Sequence, residues 1–349
     1  MQTLSNDDIS LIDTSLRNGH PFALVLPPGA SEPLRWTKTS APDGARLTIS
    51  PWLAGADGAV TQLDDSAVGQ MTLEERSTPA SHYLASVGSI VGRCRARHGK
   101  TVYSRIECGS IAEHAGWGLK ADKLFSLFPG TFRFIYHTPH TLGWIGASPE
   151  VLLDFDKTTG HFSTMSLAGT RRNNTAEAWD RKNIHENGFV TDYIAGRLRP
   201  LVSDIKVSQP QTLGYGAVEH LLHIVSGHAS PEKIPDIVAA INPTPALCGF
   251  PKDDAIADIA AMELHRRNCY GGFVAIETAD RYQAFVNLRC AHFSGRSFCA
   301  YGGGGITSES VPEIELAETS AKMSRMLEIL YDGRRPDNSP RPNDSPCER

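Results

Sequence analysis

A run of four glycines, Gly302 to Gly305, stands shortly before two acids and a lysine, Glu315, Glu318 and Lys322. Glycine lets a backbone turn sharply or come close to another group. Ser310 and Glu313 have the spacing of a capping box and Pro312 suits a first helical turn, which predicts a helix start here. In that helix Glu315, Glu318 and Lys322 fall at i, i+3 and i+7 and share one face. Leu316, Met323, Leu327 and Leu330 form a different, apolar face that can be buried. Two acids and a lysine would then project beside bare backbone, which is how a divalent cation and an anionic ligand can be held together. The same pattern fits a solvated charged face beside a flexible loop.

The chain around this stretch has 349 residues, enough for one large domain or two ordinary ones. Forty per cent hydrophobic and 21% charged residues is an ordinary soluble composition. The formal charge of −5 gives no basic footprint for nucleic acid. No apolar run is long enough to span a bilayer, and the acidic start, Met1 to Asp8, does not read as a signal peptide. None of the seven cysteines forms a Cys-x-x-Cys pair, so the spacing supports neither a zinc nor a redox site, and a reduced cytoplasm is the simplest compartment.

The elements that must position these groups mix strands and helices. Phe22–Leu26 and Arg46–Ser50 read as strands, and Tyr83–Arg97 as a helix with Leu84, Val87, Ile90 and Val91 on one side. Thr101–Ile106 alternates as a strand; Phe132–Tyr136 and Leu142–Gly146 form a hairpin; Val151–Phe155 and Phe162–Leu167 continue as strands. Ala178–Leu198 is a predicted helix with Ile184, Phe189, Val190, Tyr193, Ile194 and Leu198 as its core face, despite the poor pair Asn187-Gly188 at its centre. Val218–Ser226 follows as a strand, Glu232–Ala240 and Pro251–Leu264 as helices, and Tyr270–Glu277, Gln283–Phe293 and Ser297–Tyr301 as strands leading into the glycines. The polar residues 332–349 predict a disordered tail. The pattern predicts an α+β fold with much antiparallel sheet.

Several stretches together resemble the chorismate-binding domain shared by isochorismate synthase, salicylate synthase, anthranilate synthase component I and aminodeoxychorismate synthase. They include Lys100 to Arg105, Gly146 to Glu150, Leu167 to Arg171, Lys182 to Glu186, Glu219-His-Leu221, Asn242 to Pro251, Tyr270 to Gly272, Leu288 to Cys290 and the glycine–helix stretch. The resemblance covers residues 81–331, with 1–80 as a short N-terminal part of the same fold. It implies a large, two-layered, mostly antiparallel β core flanked by helices, with the active site in the cleft between layers. It also implies chorismate as substrate and Mg²⁺ as cofactor. Glu186 and Glu318 match the principal Mg²⁺ carboxylates, and Glu315 an acid held behind them. Lys100 matches the general base of members that add water, and Glu150 the general acid that protonates the departing C4 hydroxyl. A lysine must give up its proton for that task, and the resemblance suggests Arg105 and the metal as its positive neighbours. A carboxyl that donates near neutral pH must be buried or crowded by other acids. Arg289 and Tyr270 match residues that grip the enolpyruvyl carboxylate, together with the backbone of Gly303, Gly304 and Gly305. Lys322, His220 and Thr244 complete the implied substrate-binding set.

Three positions depart from the family pattern. Asn183 replaces an acid, and Asn187 and Asn242 replace histidines. Lys100 and the Pro-Thr-Pro-Ala-Leu segment favour Mg²⁺-dependent isomerisation of chorismate to isochorismate. Salicylate synthesis, an aminating reaction and a catalytically inactive chorismate-binding protein are the alternatives. A cytoplasmic monomer or weak dimer, with no nucleic-acid, membrane or glutaminase partner, is the expectation that goes with this reading.

Overall fold

The computed structural model describes residues 4–332 apart from 38–39, 43, 54–59, 62, 64–70, 75, 173–177 and 216–217. In chain order the elements are α1 (Asn6–Arg17), β1 (Phe22–Leu26), β2 (Leu34–Thr37), β3 (Arg46–Ser50), β4 (Val60–Thr61), α2 (Ala80–Arg97), β5 (Lys100–Ser110), α3 (Trp117–Leu127), β6 (Phe132–Thr138), β7 (Leu142–Ser148), β8 (Val151–Asp156) and β9 (His161–Arg172). They continue with α4 (Arg181–Leu198), β10 (Ser203–Val207), β11 (Gln211–Tyr215), β12 (Val218–His228), α5 (Ile234–Ile241), β13 (Gly249–Phe250), α6 (Lys252–Met262), β14 (Phe273–Glu277), β15 (Arg281–Val286), β16 (Cys290–Ser294), β17 (Ser297–Ile306) and α7 (Pro312–Leu330).

Among the described residues the strands form two sheets, β13-β5-β17-β16-β7-β6-β1-β2 and β10-β12-β9-β8-β15-β14-β3-β4, with β11 beside β12. The pairings are antiparallel. β1 shows why the chain layers as it does. Phe22, Leu24 and Leu26 pack with α1, α3 and α7, while Ala23 and Val25 point the other way, into the core that Leu47, Val274 and Phe285 fill from the second sheet. The far face of the second sheet, with Leu153, Phe155 and Ala284, is covered by Val190, Ile194 and Leu198 of α4 and Ile237 of α5. The architecture is helix on sheet on sheet on helix, the α+β class with a two-layered antiparallel core that the sequence predicts.

Several local expectations change. Gln283–Phe293 is two strands rather than one: β15 lies in the second sheet and β16 in the first. The chain crosses between layers just before Cys290, and Arg289 has a left-handed φ of 48° there. The four glycines do not turn. They lie inside β17, paired with Val102 to Arg105 of β5, and none of them has a positive φ. The capping box at Ser310 and Glu313 is absent. Val311 is the N-cap of α7 without a side-chain bond, and the Ser310 hydroxyl donates to Glu315 at 2.6 Å instead. Ile184 and Phe189 of α4 are exposed rather than core. Asn187 is fully buried and ties α4 to the second sheet, its amide donating to the Ser166, Ala168 and Leu221 carbonyls. Those three acceptors explain a polar residue in a helix interior facing a sheet.

The sequence reading also misses α1, α3, β2, β10 and β11. The Ser5 and Asp8 side chains cap α1 reciprocally, a signal visible in the sequence. Cys108 and Cys299 face each other across β5 and β17 and form a disulfide, a pairing that the sequence reading does not propose. A separation of 191 residues hides this pair from any spacing rule. No helix among the described residues is long and apolar enough to cross a membrane. Apart from Asp332, the predicted tail falls outside the described residues.

Candidate active site

The glycine strand forms one wall of a cavity between the sheets. Lys100 and Val102 of β5, Glu150 in the turn after β7, Gly169 and Thr170 of β9, Glu186 of α4, His220 of β12, Tyr270, Arg289, Gly303 to Gly305 and Lys322 of α7 line it. The structure therefore brings most of the predicted site together from elements spread over more than two hundred residues.

Strand register explains what the glycines do. β16 stays beside β17 only up to Ala300, so beyond that point β17 has β5 on one side and an open edge on the other. Hydrogen-bond directions alternate along an antiparallel strand. Ser104, opposite Gly303, gives its N–H to Glu263 at 2.8 Å, away from β17. Val102, opposite Gly305, gives its N–H to the Cys248 carbonyl at 2.9 Å. Gly303 and Gly305 thus turn their own N–H groups to the open edge, while Gly304 faces into the ladder with Tyr103. The Gly303 carbonyl, on the same edge, accepts a bond from Lys322 Nζ at 3.0 Å.

The glycines also make room. A Cβ built at Gly305 would lie 2.5 Å from Lys100 Cε and 2.9 Å from Glu186 Oε1, and one at Gly303 would lie 2.7 Å from the Tyr270 hydroxyl. At Gly304 it would meet Glu315 Oε2 at 3.3 Å and Glu318 Oε1 at 3.7 Å. Consecutive strand residues face opposite sides. Glu186 accordingly approaches one side of the thinned strand and the two α7 acids the other. Gly305→Ala is expected to cut turnover about 100-fold or more by displacing Lys100 and Glu186, and Gly304→Ala considerably less. Steady-state kinetics of the two folded variants measure the difference.

Charge is balanced by short ion pairs. Lys100 Nζ lies 2.6 Å from Glu186 Oε1, and Lys322 Nζ 2.6 Å from Glu318 Oε1. Glu315 is buried on the α7 side of the strand, its carboxylate accepting from Ser310. Among the described residues no group of three or more His, Cys, Asp or Glu side chains is gathered at ligating distance. Carboxylate oxygens of Glu186, Glu315 and Glu318 instead flank a strand whose missing side chains leave space, and a cation that keeps several waters needs few protein ligands.

Glu150 is 4% exposed, and burial raises its carboxyl to about 7 although Lys100 and Arg289 pull it down. A group so placed holds a proton near neutrality and can donate it. His220 is driven the other way, to about 3, by burial and then by the Arg289 and Lys322 charges. It is neutral near pH 7, and its partners assign the tautomer. Nδ1–H points to the Gly169 carbonyl at 3.3 Å, with the Thr170 hydroxyl also near at 3.2 Å, while Nε2 faces an Arg289 guanidinium nitrogen at 3.4 Å. Arg289 also reaches the Lys322 carbonyl at 3.2 Å, which fixes its fork at the cavity. The Tyr270 hydroxyl is pushed well above its usual range by burial and stays protonated.

Two expectations are corrected. Thr244 is buried and is absent from the cavity wall; its carbonyl accepts the Leu247 and Cys248 N–H groups and shapes the loop behind Ala246 and Leu247. Arg105 is not a neighbour of Lys100. It lies on the opposite face of β5 and donates to the Thr319 and Ser320 hydroxyls of α7. The departures have structural roles instead: Asn183 accepts the Thr170 N–H at 3.0 Å and donates to Asp180 at 2.9 Å, which steadies the strand beside His220. Asn242 is half-buried at the C-cap of α5.

Sequence reasoning misses Arg267, which lines the cavity. Its guanidinium is buried against Glu263 at 2.6 Å, donates to the Val102 and Leu247 carbonyls, and sits 4.3 Å over the Trp52 ring. It joins β5 to the loop behind the site. Glu263 and Arg267 at i,i+4 after a helix is the available signal.

Comparison with known proteins agrees with this architecture. A family model described as chorismate binding enzyme matches residues 57–331. The isochorismate synthase DhbC of Bacillus subtilis is 32% identical over 198 residues, 53% of this chain and 50% of that protein. EntC, the isochorismate synthase of Escherichia coli, is 33% identical over 228 residues, 61% of this chain and 57% of that one. The chain thus matches between half and three-fifths of the length of these curated relatives. Among solved structures, the menaquinone-specific isochorismate synthase MenF of Escherichia coli superposes with a TM-score of 0.75 at 20% identity, covering 94% of this chain and 92% of that one.

Proposed function

The chain belongs to the chorismate binding enzyme family, and we propose that it converts chorismate to isochorismate by adding water at C2 and losing the C4 hydroxyl. The observation that carries this reading is a pair. Lys100 and a carboxyl held at about 7, Glu150, line the same cavity. Lys100, which must first give up its ammonium proton to solvent, takes the proton of the attacking water, and Glu150 gives its own to the leaving hydroxyl while the ring double bonds shift. Arg289 and Tyr270 receive the enolpyruvyl carboxylate, with the Gly303 and Gly305 N–H groups aimed at the same anion. His220, neutral and bonded to Arg289, orients that guanidinium.

Glu186 and Glu318 would hold Mg²⁺, with Glu315 behind Glu318. Bound there, the ion would neutralise the ring carboxylate of chorismate. Lys100 and Lys322 pair with those acids here; Lys100, released from Glu186 and without its ammonium proton, would face the attacking water, and Lys322 would turn to a substrate carboxylate.

Incubation with chorismate and Mg²⁺, followed by chromatographic separation of products, tests the reading. Isochorismate is expected, with loss of turnover after chelation of the metal and recovery on its return. Salicylate and pyruvate would move the assignment to the synthase that carries the reaction further. Chorismate binding without turnover would overturn it.

A further inference from the structure

A second contact runs alongside the Lys100–Glu186 ion pair. Phe250 of β13 is registered directly opposite Lys100 of β5, so the two side chains share one face of the first sheet. Phe189 lies three residues after Glu186 on α4, on the same helix face. α4 packs on the second sheet. The two pairs therefore meet as adjacent rungs across the cleft: Lys100 to Glu186 at 2.6 Å, and Phe189 stacked on Phe250 with ring centroids 5.7 Å apart and planes 21° from parallel. The His185 ring adds a third surface, 4.5 Å from Phe189.

Exposure shows which rung is outside. Phe189 and Phe250 remain 41% and 38% exposed, whereas the Lys100 and Glu186 side chains are 11% and 13% exposed. Stacking hides part of each ring from water, so the two phenylalanines act as one apolar surface at this corner. What lies on the inner side of this pair is the charged rung. We propose that Phe189 and Phe250 form a cover over the Lys100–Glu186 corner, keeping bulk solvent from it and holding the two layers together there. Neither ring lines the cavity, so both are positioning residues that act through Lys100 and Glu186. The catalytic consequence rests on the reading of Lys100 as the base; the shielding itself does not.

The test is chemical access to Lys100. Wild-type protein, Phe189→Ala, Phe250→Ala and the double variant are treated briefly with formaldehyde and cyanoborohydride, and methylation of each lysine is read by peptide mass spectrometry. Lys100 is expected to react about 10-fold faster in either single variant, and scarcely faster again in the double variant, because both rings belong to one cover. Lys233, 47% exposed, is the internal control and should not change. Melting curves establish that each variant is folded. Should the alanine variants not fold, Phe189→Leu and Phe250→Leu keep apolar bulk while removing the stack, and a smaller gain in labelling is expected. Lys100 labelling within twofold of wild type in every folded variant would overturn the proposal. If wild-type protein makes isochorismate, the variants should lose kcat with KM for chorismate nearly unchanged. If it makes none, the functional reading fails while the labelling result still decides the cover.

Discussion

Lys100→Ala is expected to lower kcat for isochorismate formation about 1,000-fold, in the range assigned to a positioned general base. The effect should fall on kcat rather than KM, since the lysine acts on water and the substrate carboxylates have other partners. Lys100→Arg is the more telling variant. It keeps a cation beside Glu186 and so retains the 2.6 Å ion pair in kind. A guanidinium does not release its proton in a protein, however, so the arginine variant should be as inactive as the alanine one. Recovery of activity in Lys100→Arg would show that the residue serves by charge alone. Single-turnover measurements with saturating chorismate separate the chemical step from binding.

Glu150→Gln is expected to abolish proton donation to the leaving hydroxyl, at a cost of about 100- to 1,000-fold in kcat. The wild-type rate should fall as pH rises through about 7, where the buried carboxyl loses its proton. Stability follows the same group. Its folded value lies above the ordinary 4.5, so the stabilisation is complete below 4.5 and is lost as pH rises through about 7. The interval corresponds to roughly 3 kcal/mol for a fully buried group. Glu150→Gln, neutral throughout, should gain stability over wild type by about that amount between pH 5 and pH 8. Denaturant melts of both proteins across this range measure it. Parallel curves would mean that Glu150 is solvated and ionised in the native protein.

How far the sequence reveals this arrangement depends on the kind of signal. Strands buried on both faces, such as Phe22–Leu26, are read correctly because they are apolar throughout. α1 is missed although Ser5 and Asp8 cap it, because its apolar stripe is thin. The crossing between sheets at Arg289 is invisible, since a continuous strand-like run over residues 283–293 hides a change of layer. The candidate residues stand in ordered motifs; the structure places most of them along one cavity, with Glu315 and Glu318 on the far side of its glycine strand and Thr244 outside it. What motifs do not supply is local partnership. They suggest Arg105 beside Lys100, whereas strand alternation sends it to α7. They suggest a turn at the glycines, whereas these serve by lacking side chains within a ladder. Asn187 reads as a lost functional group until its three carbonyl partners are seen.

The central claim is that water enters at C2 as the C4 hydroxyl leaves. Incubating the protein with chorismate and Mg²⁺ in ¹⁸O-enriched water, then analysing the product by mass spectrometry, tests it directly. The account predicts isochorismate carrying one solvent oxygen, located at C2, formed by wild-type protein and not by Lys100→Ala. Unlabelled isochorismate, or equal product from Lys100→Ala, would contradict it.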